Sequence, residues 1–211
     1  LEGDVIAGSD LFFTSQNGTE IFARNLDLSA GFDLHTTKTR IGSSYLSGIH
    51  GFHTKITGGG SAIYSETQSY PDAYYFQSVR LHDVTFKGAT AFNFDVFLFG
   101  NIVNEDSLFT AAGTGGWIVD VQGDFTNRGV VNTSQHFNFH GDLVNHGSMA
   151  YTSAYMNGRE NQNVLMMNEQ ALPGPIFFDA NIQPLPLSFQ WYESGLELSD
   201  ATEALLAFPG G

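Results

Sequence analysis

The chain has 211 residues with 24 Gly and 19 Phe, no Cys, and a formal net charge of −14 at pH 7. Eight Lys and Arg stand against 22 Asp and Glu, which disfavours nucleic acid as a partner, because phosphate binding needs clustered cations. No apolar run approaches the roughly 18 residues of a membrane-spanning helix, so the sequence predicts no membrane span. Short apolar runs between Gly-rich turns predict an all-β protein.

The N-terminal part of the chain contains strand-like runs without a clear repeat. They are residues 11–15, 19–23, 26–35, 52–57 and 73–81. Asn17 followed by Gly18 is a strong signal for a tight hairpin between the first two runs. This part is therefore predicted to be β, either as irregular turns of a larger stack or as a cap.

A thirteen-residue pattern then occurs three times. The copies are residues 96–108 (VFLFGNIVNEDSL), 119–131 (VDVQGDFTNRGVV) and 137–149 (FNFHGDLVNHGSM). Apolar and polar residues alternate on both sides of a central Gly, and the Gly positions are 23 and then 18 residues apart. Self-similarity at such a period is typical of a solenoid, in which each copy belongs to one turn of a stack.

Two residues of the pattern have predicted structural roles. The central Gly marks a bend that a Cβ would obstruct; it is Gly100, Gly123 and Gly141 in the three copies. The Asn falls where the second strand turns, and stacked Asn side chains can bond one another as a ladder. The ladder residues are Asn104, Asn127 and Asn145. A weaker copy starts at Asp83, with Phe86 in the place of the Asn.

Inward positions of the copies predict the core. One column is expected to contain Val84, Ile102, Phe125 and Leu143. Phe side chains at equivalent inward positions can pack as offset or edge-to-face rings. The candidates for this aromatic core are Phe92, Phe94, Phe125, Phe137 and Phe139.

The pattern at residues 123–131 and 141–149 resembles the repeats of filamentous haemagglutinin-like adhesins and related secreted β-helix proteins, over residues 81–150. The resemblance implies a right-handed parallel β-helix exported to a bacterial surface. It implies an adhesin or filament subunit, secreted or at the cell surface. The implied partners are neighbouring copies of the chain or adjoining domains of a larger surface protein.

The alternative function is a β-helix that binds or cleaves an extracellular glycan. Such enzymes use carboxylates on one outer face as acid and base, and the candidates here are Asp120, Asp124 and Asp142, with Arg128 nearby. Each turn supplies only one of these carboxylates, so a solvated acidic row is favoured and no enzymatic activity is predicted.

Metal binding is weighed on two groups of residues. His136, His140 and His146 lie close together in the sequence, and two His on one face can bind a metal, but no third ligand is evident. Asp and Asn at the turns could collect Ca²⁺, although no spacing matches a calcium loop. The sequence therefore predicts no cofactor, with Ca²⁺ as the open alternative.

The C-terminal part changes in composition. Residues 1–158 are predicted to form the β-helix, and 159–187, with Pro at 173, 175, 184 and 186, a linker or extended arm. The candidate helix is confined to residues 160–172.

Residues 188–211 resemble part of a bacterial immunoglobulin-like domain; the matching residues are Gln190, Trp191, Tyr192, Gly195, Leu198, Ser199, Ala201 and Thr202. A hairpin that caps the solenoid is the other interpretation. The candidate assembly contacts are Phe189, Trp191, Leu196 and Leu198.

Overall fold

The computed structural model describes residues 4–21, 25–42, 54–66, 76–110, 118–133, 135–158, 162–166, 176–178, 192–193 and 196–197. This part of the chain contains no helix, and therefore none that could cross a membrane. Its strands are β1 (Asp4–Ile6), β2 (Leu11–Ile21), β3 (Asn25–Asp27), β4 (Leu34–Gly42), β5 (Thr54–Thr57), β6 (Ala62–Glu66), β7 (Phe76–His82), β8 (Thr85–Phe86), β9 (Thr90–Phe99), β10 (Asn101–Asn104), β11 (Ser107–Thr110), β12 (Ile118–Val121), β13 (Asp124–Asn127), β14 (Val130–Asn132), β15 (His136–Phe139), β16 (Leu143–Asn145), β17 (Ser148–Ala150), β18 (Ser153–Met156), β19 (Val164–Met166), β20 (Ile176–Phe178), β21 (Tyr192–Glu193) and β22 (Leu196–Glu197).

Strands of successive turns pair in parallel and form three columns. Column A contains β1, β3, β5, the second parts of β7 and β9, then β12, β15, β18 and β20. Column B contains the first parts of β2 and β4, then β6, β8, β10, β13, β16 and β19. Column C contains the second parts of β2 and β4, the first parts of β7 and β9, then β11, β14 and β17. The fold is a parallel β-solenoid, so the predicted all-β class and parallel stacking are confirmed.

The core runs along the axis between the three columns. In β13 the side chains alternate between solvent and core, with Phe125 and Asn127 buried. Register pairs Ile102 with Phe125 and Phe125 with Leu143. The carbonyl of Val84 accepts the N–H of Val103 at 3.1 Å, which places Val84 below Ile102. All four side chains of the predicted inward column are buried.

Aromatic rings fill the wider part of the core. The rings of Phe137 and Phe139 are stacked with their centroids 5.3 Å apart, and that of Phe125 lies 6.3 Å and 6.0 Å from them. In a lower turn Phe92 packs edge-on against Phe86 at 5.6 Å. The side chain of Phe94 lies outside the described residues. These pairs contribute about 0.5–1.5 kcal/mol each beyond burial.

The hairpin predicted at Asn17 and Gly18 is wrong. β2 continues through both residues and pairs in parallel with β4, with a register shift between Thr14 and Thr19. The chain therefore bends from column B into column C at this place instead of reversing. A parallel neighbour supplies the backbone partners on both sides of the bend, and this non-local pairing overrides the local turn preference.

The predicted helix over 160–172 is also wrong where the structure describes it. Residues 164–166 form β19, which pairs with β16 and sets Val164 beside Leu143. The apolar column continues here, and burial against it favours a strand. Farther along, β20 pairs with β18, so the range 159–187 contributes two strands to the stack.

The C-terminal hairpin is the last described element. β21 and β22 pair antiparallel in a sheet of their own, and β21 lies beside β19. The domain boundaries and the resemblance of residues 188–211 to an immunoglobulin-like domain stay predictions.

Candidate functional site

The Asn side chains form a buried ladder along the axis. The Nδ2 of Asn104 donates to the Oδ1 of Asn127, and the Nδ2 of Asn127 donates to the Oδ1 of Asn145, both at 2.7 Å. All three side chains are buried. Phe86 lies below Asn104 in the register, so the ladder begins at Asn104 in the described chain. The structure thus brings together the three Asn residues that the repeat pattern singled out.

Each Asn also closes its own corner between columns B and C. The Nδ2 groups of Asn104, Asn127 and Asn145 donate to the carbonyls of Asp106, Gly129 and Gly147 at 3.1, 3.3 and 3.1 Å. Asn127 also donates to the carbonyl of Ser148 in the next turn at 3.0 Å. One amide therefore holds a local turn and joins two turns, which explains why Asn stands here.

Glycine is required at two corners for close approach of the turns. Gly100 has a φ of 67°, in the left-handed region that favours glycine. At Gly141 a Cβ would lie 2.5 Å from the carbonyl oxygen of Gly123, and at Gly123 it would collide with the backbone of Gly100. Gly129 and Gly147 meet the same obstruction. The sequence analysis assigned no role to this second pair, although both follow the ladder Asn by two residues.

A second ladder, which we call the corner ladder, runs where column A passes into column B. A carboxylate of one turn accepts a backbone N–H of the turn above. Asp124 accepts from Asp142 at 2.9 Å, Asp142 from Asn163 at 2.8 Å and Asp83 from Asn101 at 2.9 Å. Asp10 accepts from Asp33 at 3.0 Å and Asp33 from Ala62 at 2.8 Å. Two of the three candidate catalytic carboxylates are therefore engaged with backbone.

The third candidate, Asp120, lies apart from these two on the outer face of column A. Its register neighbours are Phe97 and Asn138, so no carboxylate stands directly above or below it. Its Oδ1 accepts from the Nε2 of Gln122 at 2.6 Å and lies 3.1 Å from the Nε2 of His140. The structure does not bring Asp120, Asp124 and Asp142 into one acidic row.

The three His residues are likewise separated. His140 pairs with Asp120, whereas the Nδ1 of His136 lies 2.5 Å from the Oγ of Ser153 in the next turn. His146 is on the other side of the column B corner and its backbone N–H donates to Asn127. Among the described residues, no three His, Asp or Glu side chains converge as metal ligands.

Other outer side chains also connect successive turns. Arg128 pairs with Glu105 at 3.3 Å rather than with the candidate carboxylates. The ring of His82 stacks on that of Phe99 with centroids 4.5 Å apart and planes within 8°, and Arg80 lies 5.7 Å from the Phe97 ring centroid. Because these rings face one another along the axis, their faces form a stack and not an open platform. The outer contacts serve the same direction as the inner ladders.

Alkaline pH is expected to weaken the upper part of the stack through Tyr151. Burial raises the pKa of its hydroxyl from 10.0 to about 12. Between those values the unfolded chain loses this proton while the folded chain keeps it, so the free energy of unfolding falls as pH rises from about 10 to about 12. Tyr151→Phe should remove this part of the pH dependence. Urea denaturation across that pH window would measure it, and identical slopes for both proteins would contradict it.

The predicted assembly contacts lie at the limit of the described chain. Phe189, Trp191 and Leu198 are outside it, and only the backbone of Leu196 is described, in β22. The fold and its contacts define a parallel β-solenoid with axial side-chain ladders. Comparisons with protein-family models, curated proteins and solved structures find no match.

Proposed function

We propose that the protein is an extracellular structural protein, an adhesin or filament subunit, whose solenoid acts as a rigid rod with end-to-end or surface contacts. The observation that carries the proposal is the direction of the side-chain bonds. The Asn ladder inside and the corner ladder outside both run from turn to turn. Such contacts resist separation of the turns along the axis, as a load-carrying rod requires.

The magnitude of these contacts supports the same conclusion. A neutral hydrogen bond contributes about 0.5–1.5 kcal/mol net, and one to a charged group about 1.5–3 kcal/mol. Each turn of the repeat region carries one Asn bond, and most carry a corner carboxylate bond, to the turn above. Stability therefore grows with the number of stacked turns, because nearest-neighbour terms dominate in solenoids.

The finer proposal is a filamentous haemagglutinin-like adhesin, secreted or at the cell surface. It rests on the repeat pattern of residues 81–150 together with the parallel stacking. The chain lacks Cys, so its stability does not depend on disulfides. The net charge of −14 disfavours nonspecific association with other anionic surfaces. The proposed partners are copies of the chain or adjoining domains of a larger surface protein.

Glycan cleavage is less well supported by the geometry. A glycosidase needs two carboxyl groups that flank one bond at about 5–9.5 Å. Asp124 and Asp142 accept backbone N–H groups, and Asp120 is engaged by Gln122 and His140. A glycan-binding role for the outer face is kept as the alternative function, with an extracellular glycan as its partner.

Location in the source cells tests the proposed function. Antibodies raised against the purified chain should label the outside of intact cells or extracellular fibres in immunogold electron microscopy. Protease added to intact cells should remove that label while a cytoplasmic marker stays whole. Label confined to the cell interior would contradict the proposal.

No hydrolase or lyase activity is expected from this chain. A panel of neutral and acidic polysaccharides, assayed for new reducing ends and unsaturated products, should show no turnover above buffer. An active β-helix lyase in parallel provides the positive control. Turnover that disappears in Asp120→Asn but persists in the matched outer-face variant Asn138→Ala would favour the alternative function.

A further inference from the structure

The N-terminal end of the stack leaves its apolar side chains uncovered. Leu26 and Leu34 of the second turn are fully buried, whereas Val5 and Leu11, directly below them, are only partly buried. Ile6 is 77% exposed and Phe12 is 64% exposed, more than any other large apolar side chain of the described residues. Apolar exposure is therefore concentrated at one end of the rod.

Each ladder of column B is also open downward at this end. The carboxylates of Asp10 and Asp33 each bond the turn above, so the N–H of Asp10 stands where the side-chain oxygen of a turn below would bond. Phe12 stacks on His35 with centroids 4.5 Å apart and planes within 8°. One face of the Phe12 ring is thus covered and the other is turned to the end. The cover that fits is a further parallel β-coil.

The C-terminal end of the same chain carries the matching half. Asn163, Val164 and Leu165 repeat the order polar, inward apolar, outward apolar of Asp10, Leu11 and Phe12. Asn163 already donates its N–H to Asp142, and β19 pairs with β16 below it. Val164 and Ile176 are only partly buried against the core.

The nearby hairpin does not pair with this edge. β21 lies beside β19, but in the described chain its only strand partner is β22. A strand that followed β19 in column B would therefore meet backbone groups that the hairpin leaves unpaired.

We propose that the N-terminal end of the stack binds the C-terminal end of a second copy of this chain. Asp10, Leu11 and Phe12 then continue the ladders of Asn163, Val164 and Leu165. This inference rests on the proposed function and names the contact of the filament. Such a head-to-tail interface is heterologous and extends without closing. Because each copy has a net charge of −14, association should strengthen as salt screens the repulsion.

Cysteine cross-linking tests the register of this contact. Neighbouring parallel strands lie about 4.8 Å apart, within the Cα separation of about 4.4–6.8 Å that a disulfide spans. The double variant Phe12→Cys, Leu165→Cys adds the only thiols of the full-length chain. After oxidation at raised ionic strength, non-reducing gels should show a ladder of dimers, trimers and higher species. The matched control Val130→Cys, Leu165→Cys places an exposed thiol on the side of the rod and should give no ladder.

Two results would overturn the inference. One is a double variant that gives no more cross-linking than the control. The other is dimer formation by Phe12→Cys alone at the same yield, which means that two N-terminal ends meet. Sedimentation gives an independent reading: Ile6→Lys should weaken association of the otherwise unaltered chain at least tenfold, whereas Val130→Lys should not. Equal association of both variants would reject the contact, whereas surface location of the protein tests the proposed function separately.

Discussion

Replacing Phe125 with Ala is expected to lower the free energy of unfolding by about 3–5 kcal/mol, the usual cost of deleting a buried Phe ring. The side chain is 0% exposed and touches the rings of Phe137 and Phe139. The space it leaves is bounded by rigid strands above and below, which limits relaxation. Urea denaturation followed by circular dichroism would measure the change.

The control for this prediction is Thr126→Ala on the same strand. Thr126 faces outward and is only partly buried, so its replacement should cost less than about 1 kcal/mol. If Phe125→Ala cost as little as Thr126→Ala, the inward column from Val84 to Leu143 would be wrong. The comparison keeps backbone position and strand constant, and it therefore isolates the burial of the ring.

Replacing Asn127 with Ala is expected to cost about 3–5 kcal/mol, since each orphaned buried polar group costs about 1–3 kcal/mol. The substitution removes the acceptor of Asn104 and the donor that serves both Asn145 and the carbonyl of Ser148. Asn127 is the central member of the ladder, so two turns lose a contact at once. Thermal and urea unfolding of the purified variant would measure the loss.

A double-mutant cycle with Asn145→Ala distinguishes a ladder from three independent caps. Asn145 bonds Asn127 directly, so the two losses should be non-additive, with a coupling of about 0.5–3 kcal/mol. The pair Asn127→Ala and Thr90→Ala offers the matched control, because Thr90 is buried elsewhere and bonds Gly88. Strict additivity between Asn127 and Asn145 would show that the side-chain contact between turns contributes nothing.

The regular part of the fold could be predicted because its steps are nearly constant. Between Gly123 and Gly141 the sequence repeats after 18 residues, and the structure pairs the same positions, Phe125 with Leu143 and Asn127 with Asn145. Period-2 alternation determines which side chains point inward. A polar residue at one inward position in every copy then indicates a partner of its own kind.

The N-terminal half resisted prediction because its steps vary. Leu34 pairs with Ile63, 29 residues later, whereas Val103 follows its partner Thr85 by 18. Strand β6 was therefore not recognised, and the corner roles of Asp10 and Asp33 were missed. Loop closure costs only about 0.6 kcal/mol per doubling of length, so connections of unequal length can link equivalent turns and hide their period.

The sequence by itself determined that this protein is built of short strands stacked in parallel, since alternation, Gly corners and a recurring Asn are local properties of each turn. Only the tertiary structure decided which strand lies next to which. Asp124 and Asp142 are indistinguishable from Asp120 as acidic residues in the sequence, yet two bond backbone of the next turn and one faces solvent beside His140. The reason is physical: the partners of these carboxylates come from the neighbouring turn, 18 or more residues away, and parallel pairing alone brings them within hydrogen-bond distance.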